Sequence, residues 1–389
     1  MRLAVASLIY KLTTPESKGG GEVWVSNFVA ESARRNHQVD LYAIEGSLQG
    51  QNINLIPSLN KPVSEYYDDN FFRRESLMTF GRLTGEFTST VYTRLLDSLH
   101  ERLEHYDFII DSTASPVFTF NTRRFKKPVL TIGHDPPDSL YNFYAKTLGW
   151  PSNNTIIFPS QYQYARTENI PSSNKAIVPH GIELVSLRAN EQGGEHLAWM
   201  SRIDYPRQDK GAHEAILVAN KLRRELRITG LVESETKSYV EKAIKPLITS
   251  NIIFEEQDAG TPTDKNLIFG SAKLFLFPTQ WEESFGLVML ESMACGTPVV
   301  AYARGAVPEI VVDGETGFVV NPSDNDIRGE FAVKKTGIDG LCEAVERVYA
   351  MGKKEYEQMR TNCRAHVEKH FTVERMVDQY EELYEKILK

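Results

Sequence analysis

Two acidic residues, Glu283 and Glu291, stand with seven residues between them in the stretch ESFGLVMLE. Carboxylates can accept hydrogen bonds from the hydroxyl or ammonium groups of a ligand. The apolar run Leu274–Pro278 predicts a buried strand before them, and the residues from Leu287 onward predict a helix that ends before Gly296. This order places one carboxylate in a loop and the other inside a helix, so that the two can reach different parts of one ligand.

The segment that joins this strand to this helix offers hydrogen-bond donors as well. The backbone N–H groups of Ser284, Phe285, Gly286 and Leu287 stand at the predicted start of the helix, where helical carbonyls do not satisfy them. The helix dipole adds positive potential at the same end. A phosphate or a sugar hydroxyl would be held there. Two glutamates at this spacing are common by chance, and it is their strand, loop and helix context that favours a binding site.

Other residues with useful chemistry follow other predicted strands. Arg202 stands at a strand end, where it could bind an anion or form an ordinary surface ion pair, and Lys210 follows in a loop. The cluster Gly19-Gly20-Gly21 precedes a predicted helix, and three glycines in a row favour a close approach of a ligand to the backbone. His134 ends another strand and is a candidate either for the site or for a satisfied core position.

Short apolar runs alternate with longer helical patterns along the whole chain, which is typical of parallel sheets flanked by helices. The predicted strands are Leu3–Ser7, Gln38–Ala43, Phe108–Asp111, Val129–Ile132 and Thr155–Phe158 in the first half, and His196–Met200, Leu226–Thr229, Ile252–Phe254, Leu274–Pro278, Val299–Tyr302 and Gly317–Val320 in the second. The main predicted helices are Glu22–Arg35, a long segment within Tyr66–Glu104, and Val373–Leu388. The fold class is therefore α/β, with two Rossmann-like α/β/α domains.

The series of strands restarts after a polar, turn-rich stretch that ends in Gln192-Gly193-Gly194. We predict an N-terminal domain over residues 1–185 and a C-terminal domain over residues 186–372, followed by an amphipathic helix over 373–389. Two doubly wound domains in series predict a ligand at the carboxyl ends of the strands, in a cleft between the domains.

The composition argues against several other classes of protein. The 389 residues include 44 basic and 52 acidic residues, a net charge of −8, which disfavours a nucleic-acid partner. The three cysteines, Cys295, Cys342 and Cys363, have no metal-ligand spacing and form no disulfide framework, which favours a reducing cytoplasm. A strand is predicted directly after Met1, so we expect no signal peptide. Neither half has a G-x-G-x-x-G turn after its first strand, so a dinucleotide-dependent enzyme is disfavoured.

The motifs stand in the order found in one large enzyme family. The stretch E-S-F-G-L-x-x-x-E-S-M-A-C-G-T-P-V-V resembles the E-x7-E signature of the retaining GT-B glycosyltransferases of group 1, which include sucrose-phosphate synthases and mannosyltransferases. Further matches are Gly19-Gly20-Gly21-Glu22, Thr131-Ile132-Gly133-His134-Asp135, Val178-Pro179-His180-Gly181-Ile182-Glu183, Ser201-Arg202-Ile203, Lys210-Gly211, Gly305-Ala306-Val307-Pro308-Glu309-Ile310 and Asp313-Gly314-Glu315-Thr316-Gly317-Phe318. The resemblance spans almost the whole chain and is weakest over residues 45–127.

The resemblance implies a donor site in the C-terminal domain. Glu283 would face the transferred sugar, and Glu291 would bind the ribose hydroxyls of a nucleotide-diphosphate sugar. Arg202 and Lys210 would clamp the diphosphate together with the loop Ser284–Leu287. Preorganised cations and backbone donors stabilise the negative charge that develops on a nucleoside-diphosphate leaving group, so the resemblance implies no metal and no further cofactor.

The resemblance also assigns residues to the N-terminal domain, which would supply most of the acceptor site. Gly20 and Gly21 would let the backbone approach the phosphates, and His134 would lie near the transferred sugar as a second catalytic residue. The last helix would pack back onto this domain. Sugar transfer would retain the anomeric configuration by front-face substitution, in which a phosphate oxygen of the donor takes the acceptor proton and Glu283 positions and stabilises.

The predicted activity is the metal-independent transfer of a hexose-type sugar from a UDP- or GDP-sugar. The acceptor would be a carbohydrate, a lipid-linked molecule or a small molecule, in cell-envelope, glycolipid or secondary-metabolite glycosylation. A cytoplasmic protein is expected, and the basic aromatic run Phe71-Phe72-Arg73-Arg74 is compatible with peripheral contact to the inner face of the membrane. The alternatives are an epimerase or phosphorylase on the same architecture, or a nucleotide-sugar-binding protein without catalysis.

Two departures from the family pattern leave choices open. Seven residues separate Arg202 from Lys210, more than is common, and Arg207 falls where the lysine would otherwise stand. We prefer Lys210 as the second phosphate clamp because Gly211 follows it. A glycine that often follows the strand Ile252–Phe254 is replaced by Glu255-Glu256-Gln257, so the base of the nucleotide is left open, as is the state of assembly.

Overall fold

The computed structural model describes residues 1–17, 19–66, 77–134, 140–190, 192–203, 210–233, 236–256 and 261–389 of the chain. These residues form two compact units. The first unit comprises Met1–Pro179 and the C-terminal segment Val373–Lys389, and the second comprises His180–Thr372. The Phe71-Phe72-Arg73-Arg74 run, Arg207 and the residues that directly follow His134 lie outside the described part of the chain.

Within its described residues, the first unit is built on a seven-stranded parallel sheet in the order β3-β2-β1-β4-β5-β6-β7. Apolar and β-branched residues dominate the central strands, which are buried on both faces as parallel strands must be. The strands are β1 (Arg2–Ala6), β2 (Gln38–Ile44), β3 (Ile53–Leu59), β4 (Phe108–Asp111), β5 (Val129–Ile132), β6 (Asn154–Phe158) and β7 (Lys175–Ile177).

Helices cover both faces of this sheet, and two of them share one hydrophobic cluster. Helix α1 buries Trp24 and Phe28 against Tyr380 of the C-terminal helix. This contact, between parts of the chain far apart in sequence, closes one face of the unit. The helices are α1 (Gly20–Arg34), α2 (Leu77–Glu101), α3 (Pro116–Asn121), α4 (Leu140–Leu148), α5 (Gln161–Ala165) and, from the other end of the chain, α12 (Val373–Leu388).

Within its described residues, the second unit repeats the plan with a six-stranded parallel sheet in the order β10-β9-β8-β11-β12-β13. The strands are β8 (Leu197–Arg202), β9 (Leu226–Leu231), β10 (Ile252–Glu256), β11 (Leu274–Phe277), β12 (Val299–Tyr302) and β13 (Gly317–Val320). The flanking helices are α6 (Ala212–Leu222), α7 (Pro262–Gly270), α8 (Leu287–Ala294), α9 (Val307–Ile310), α10 (Gly337–Ala350) and α11 (Lys353–His370), with shorter helical turns over 237–247. One hydrophobic cluster lies on each face of the sheet.

In both units the order of the strands reverses beside the first strand, between β1 and β4 and between β8 and β11. Ligands of such sheets bind at the carboxyl ends of the strands at this reversal. The α/β class and the two Rossmann-like domains are thereby confirmed. The strands β3 and β7 are absent from the sequence prediction, and both lie at the edges of the first sheet.

The long apolar helix that a membrane span requires does not occur among the described residues. The amphipathic helix predicted at the C-terminus is present and runs from Val373 to Leu388. Its buried residues include Met376, Tyr380 and Tyr384, which pack with the first unit.

Candidate functional site

Glu283 lies in the loop between β11 and α8 and is only 6% exposed. Its Oε1 lies 2.5 Å from Nζ of Lys210 and accepts a second, longer hydrogen bond of 3.4 Å from the Thr279 hydroxyl. The loop ends at Gly286, whose φ of +97° turns the chain into the helix. A buried carboxylate is thus held beside an ammonium group in front of a helix N-terminus.

The backbone of Glu283 is fixed by the segment that follows β12. The N–H of Ala306 donates to the carbonyl oxygen of Glu283 at 2.8 Å. Gly305 lies so close that a Cβ atom there would be 2.1 Å from this oxygen and 2.4 Å from the nitrogen of Glu283, and its φ is +58°. Only glycine fits this approach, which explains why Gly305 belongs with the motif.

Glu291, inside α8, is mostly buried and also has a lysine partner. Nζ of Lys265, on α7, lies 2.7 Å from its Oε1. A capping box between Thr261 and Asp264 starts α7 and so sets the direction in which Lys265 leaves the helix. Sequence reasoning did not single out Lys265, because nothing in the 26 positions that separate the two residues signals the contact.

The segment Ser284–Leu287, which was expected to bind a phosphate or a sugar, contains one side chain of the hydrophobic core. Phe285 is buried, and its ring packs against the rings of His180 at 5.1 Å and Phe371 at 5.8 Å between centroids. The side chain of Phe285 is therefore part of the core, and its backbone N–H is the group that could meet a ligand. Ser284 and Leu287 are partly buried beside it.

The two cations of the expected diphosphate clamp stand near the reversal of the second sheet. Arg202 is the last residue of β8 and is exposed. Lys210 precedes Gly211, which begins α6 with a φ of +87° and approaches Pro278 so closely that a Cβ would lie 2.2 Å from the proline carbonyl oxygen. This approach brings the backbone before α6 to the end of β11, and Lys210 to Glu283. The choice between Lys210 and Arg207 is not decided, since Arg207 is outside the described residues.

No group of three or more His, Cys, Asp or Glu side chains that could hold a metal ion occurs in the part of the chain that the structure describes. The sequence has one Asp-x-Asp spacing, Asp324-Asn325-Asp326. Asp326 pairs there with Arg328, and Asp324 accepts a hydrogen bond from the Thr336 hydroxyl at 2.7 Å. Side chains of the protein already use both carboxylates.

In the first unit the glycine cluster forms the start of α1, with Gly19 as the N-cap. A Cβ on Gly21 would lie 2.8 Å from a methyl group of Leu8, and one on Gly19 would lie 1.9 Å from Oε2 of Glu22. The Glu22 carboxyl folds back onto the first turn, as an N3 glutamate commonly does, and burial raises its pKa. A phosphate at Gly20 and Gly21 would therefore have to compete with this carboxyl group, which sequence reasoning had not weighed.

His134 lies at the end of β5, partly buried. Its Nε2 lies 2.6 Å from the hydroxyl of Ser112, at the end of β4, and its ring meets the edge of Trp24 at 5.5 Å between centroids. A Cβ on Gly21 would lie 3.9 Å from the ring, so the histidine and the glycine cluster are neighbours. Burial lowers the pKa of His134 to about 4, and the imidazole is neutral at pH 7.

Ser112 itself follows Asp111, which is fully buried and accepts hydrogen bonds from three threonine hydroxyls, those of Thr113, Thr119 and Thr131. Burial raises the pKa of Asp111. This cluster fixes the end of β4, and with it the hydroxyl that contacts His134. Its members escaped sequence reasoning because threonines spread over three segments show no common motif.

Part of the second unit matches a known protein family. Residues 205–365 match the model of the family described as glycosyl transferases group 1. An alpha-1,3/1,6-mannosyltransferase of Neurospora crassa is 38% identical over 128 residues, 33% of this chain and 24% of that protein. An N-acetyl-alpha-D-glucosaminyl L-malate synthase of Bacillus anthracis is 32% identical over 108 residues, 28% of this chain and 25% of that protein. The alignments thus span only 24% and 25% of the length of these relatives.

Solved structures resemble the chain over almost its full length. Sucrose-phosphate synthase from Thermosynechococcus elongatus has a TM-score of 0.73 at 18% identity and covers 100% of this chain and 99% of its own. The Anabaena protein HepE, crystallised with UDP and glucose, has a TM-score of 0.69 at 17% identity and covers 99% of this chain and 100% of its own. At such identities the likeness shows the fold, which is that of the GT-B proteins. Residues 205–365, which match the model of the glycosyl transferases of group 1, lie within the second unit.

Proposed function

We propose that this chain transfers a hexose-type sugar from a nucleotide-diphosphate sugar to an acceptor hydroxyl, with retention of the anomeric configuration and without a metal ion. The observation that carries the proposal is the ion pair between Glu283 and Lys210 in front of α8. It joins a carboxylate that could act on a sugar to a cation that could act on a diphosphate. The match of residues 205–365 to the family model of the glycosyl transferases of group 1 supports the same proposal.

In the proposed reaction Lys210 serves two groups at once. An ammonium group has three N–H donors, and the pair with Glu283 uses one of them. The others can meet the diphosphate, whose negative charge grows as the bond to the sugar breaks. Arg202, at the end of β8, would add a second cation, and preorganised charge of this kind is the main source of rate acceleration in such sites. Glu283 would be held at a fixed position against the sugar.

Glu291 would bind the ribose of the nucleotide. Its Oε1 is engaged by Lys265, but a carboxylate has two oxygens that can accept several hydrogen bonds, so ribose hydroxyls can still be accepted. Lys265 keeps a counter-charge beside this mostly buried carboxylate, whose desolvation would otherwise be costly. The pair is thus compatible with a ligand that brings only neutral hydroxyl groups to this point.

His134 would contribute a neutral imidazole near the transferred sugar. With its pKa lowered to about 4, it can donate or accept a hydrogen bond but does not add a positive charge at pH 7. Front-face substitution needs no protein nucleophile: a phosphate oxygen of the donor takes the acceptor proton while the sugar–phosphate bond breaks. Under this proposal Glu283 stabilises the positive charge that develops on the sugar.

The names of the relatives support sugar transfer, and the HepE crystals hold UDP and glucose. We therefore propose UDP- and GDP-sugars as the first donors to test. The acceptor is proposed to be a carbohydrate, a lipid-linked molecule or a small molecule of cell-envelope, glycolipid or secondary-metabolite glycosylation, met in the cytoplasm or at the inner face of a membrane.

The test is a thermal-shift and donor-hydrolysis screen with UDP-, GDP-, ADP- and dTDP-sugars in the presence of EDTA. A ligand at 100 times its dissociation constant stabilises the folded state by about 2.7 kcal/mol, which gives a clear shift. We expect one donor to bind and to be slowly hydrolysed, and Glu283→Gln to bind it without turnover. Glu346→Gln, which removes an exposed partner of Arg224 elsewhere in the second unit, is the matched control and should behave as the wild type.

Two outcomes would refute the proposal. If no nucleotide sugar binds, the proposed donor site is wrong. If turnover occurs only when EDTA is left out, the reaction is not metal-independent. Once an acceptor is found, the anomeric proton of the product in an NMR spectrum reports retention or inversion. Release of a 2-epimer without an acceptor would instead identify an epimerase.

A further inference from the structure

Glu282 directly precedes Glu283, yet its carboxylate contacts a different part of the second unit. Arg328 reaches it with both terminal nitrogens, Nη1 to Oε2 and Nη2 to Oε1, each at 2.7 Å. Arg304 donates to Oε1 at 3.0 Å, and the backbone N–H of Gly305 donates to Oε2 at 2.7 Å. The carboxylate is only 29% exposed. Two parallel N–H···O bonds from one guanidinium are among the strongest and most directional ion-pair geometries.

A second acid completes this group. Asp326 lies 3.0 Å from Arg304 and 2.8 Å from Nε of Arg328, so that each guanidinium bridges both carboxylates. The four side chains of Glu282, Arg304, Asp326 and Arg328, called the Glu282 network below, alternate in charge and sum to zero. Burial opposes ionisation of Glu282, but the hydrogen bonds from Arg328 and Arg304 outweigh it, and the pKa of its carboxyl is lowered. The network is therefore ionised at neutral pH.

The loop that carries Arg328 is itself held in place. The side chain of Asn321, just after β13, accepts from the N–H of Arg328 at 2.7 Å and donates to the carbonyl oxygen of Gly329 at 3.0 Å. Asp313 accepts from the N–H groups of Val319 and Ala332, at 3.0 and 2.6 Å. Arg328 thus stands on a fixed loop rather than on a free surface segment.

In the loop between β11 and α8, called the site loop below, the neighbours Glu282 and Glu283 are thus hydrogen-bonded to two neighbouring residues after β12. The Glu282 side chain accepts from the N–H of Gly305, and the Glu283 carbonyl accepts from the N–H of Ala306. The chain of Glu283 is held by this double attachment on one side, while its own carboxylate meets Lys210 on the other. A shift of Glu282 would therefore be passed on to the carboxylate of Glu283.

Ion pairs that stay partly accessible to solvent usually add little to folding stability, so stability alone gives this arrangement little purpose. What distinguishes it is that it holds the backbone beside a residue of the candidate site. We propose that Glu282, clamped by Arg304 and Arg328, is a positioning residue that sets the place of the Glu283 carboxylate for sugar transfer. This inference rests on the proposed function, because it assumes that Glu283 acts on the transferred sugar.

The inference is tested with Glu282→Gln and Arg328→Met. The glutamine keeps the size but loses the charge and one of the two oxygens that accept from Gly305, Arg304 and Arg328. Arg328 is partly exposed, so both variants should fold. Displacement of a reacting group by a fraction of an ångström to 1 Å costs up to about 100-fold in rate, and we expect kcat to fall by about 10-fold to 100-fold. KM for the donor should stay unchanged, because Arg202, Lys210 and Glu291 are untouched. Arg328→Lys should recover part of the loss.

Hydrogen–deuterium exchange supplies a readout that does not depend on turnover. The amides of Gly305 and Ala306 should exchange faster in Glu282→Gln and in Arg328→Met than in the wild type. The control, Glu346→Gln, should change neither kcat nor this exchange.

The outcomes separate the two proposals. A wild type that uses no nucleotide sugar overturns the proposed function and, with it, the catalytic purpose of the Glu282 network. An active wild type with an equally active Glu282→Gln overturns only the positioning of Glu283. A loss that appears in KM rather than in kcat also overturns it, since the network would then act on donor binding.

Discussion

The ammonium nitrogen of Lys210 lies 2.5 Å from Oε1 of Glu283, although 73 positions of the chain separate the two residues. The contact exists because Gly211, the residue after Lys210, packs directly on the carbonyl of Pro278 at the end of β11. It depends on the sheet order, which makes β8 and β11 neighbours. The two residues form the centre of the candidate site, so their coupling can be measured before any substrate is known.

Replacing Lys210 by Met should lower the free energy of unfolding by about 3 kcal/mol, because it leaves the mostly buried Glu283 carboxylate without its counter-ion. The double variant Lys210→Met/Glu283→Gln should recover most of this loss, since no stranded charge remains. Chemical denaturation of the three proteins measures both values. A double variant no more stable than the single one would show that the pair does not hold this carboxylate.

The matched control for this experiment is Lys221→Met. Lys221 pairs with Asp339 on the surface of the same unit, where both side chains are more than half exposed. Removal of an exposed partner should change the free energy of unfolding far less than Lys210→Met does. A cost as large as that of Lys210→Met would mean that loss of a lysine, rather than burial of its partner, is responsible.

Gly305→Ala should abolish turnover, because the new Cβ would lie 2.1 Å from the carbonyl oxygen of Glu283 and would push the site loop away. Gly314→Ala is a suitable control, since Gly314 also has a positive φ, of +82°, but has nothing within 4 Å of the added atom. Backbone strain in Gly314→Ala should lower the free energy of unfolding by about 1–2 kcal/mol, and turnover should be unchanged. Thermal unfolding and a donor-hydrolysis assay separate the two effects, and equal behaviour of the two variants would contradict the close-approach argument.

His134 should make folding stability depend on pH. Its folded pKa is about 4 and its ordinary value 6.5, so between these values the unfolded chain binds a proton that the folded chain does not. The contribution of His134 to the free energy of unfolding is therefore fully present above pH 6.5 and is lost as the pH falls toward 4. At pH 5 the loss should amount to about 2 kcal/mol. Urea denaturation at pH 7 and pH 5 should show a smaller difference for His134→Asn than for the wild type. An equal difference would show that the imidazole is not desolvated.

Tyr380→Phe should leave stability unchanged or raise it slightly. The hydroxyl of Tyr380 is buried without a hydrogen-bond partner among the described residues, so its removal ends a desolvation cost. Tyr356→Phe is the opposite case, because that hydroxyl donates to the carbonyl of Lys273 at 2.6 Å and accepts from Arg360 at 2.9 Å. Tyr356→Phe should therefore lower the free energy of unfolding by about 1–3 kcal/mol. Thermal unfolding of the two variants should give a lower midpoint for Tyr356→Phe than for Tyr380→Phe.

The central strands were predictable because parallel strands buried on both faces read as continuous apolar runs. The central strands Phe108–Asp111, Val129–Ile132 and Val299–Tyr302 have the predicted bounds, and so does the edge strand Gly317–Val320, which is equally buried. The two strands that were missed are the edge strands of the first sheet. Pro57 lies within Ile53–Leu59 and argues against a strand unless the strand is at an edge, where the missing N–H does no harm. The other, Lys175–Ile177, has only three residues and gives no periodic signal.

The sequence by itself determined the fold class and the local frame of the site. Glu283 and Glu291 could be assigned to a loop and to the helix that follows it because strand, glycine and helix signals act over a few residues. Only the tertiary structure decided the partners. Lys210, Lys265 and Arg328 reach Glu283, Glu291 and Glu282 across 73, 26 and 46 positions. Such contacts depend on which strands and helices become neighbours, and local propensity carries no information about that.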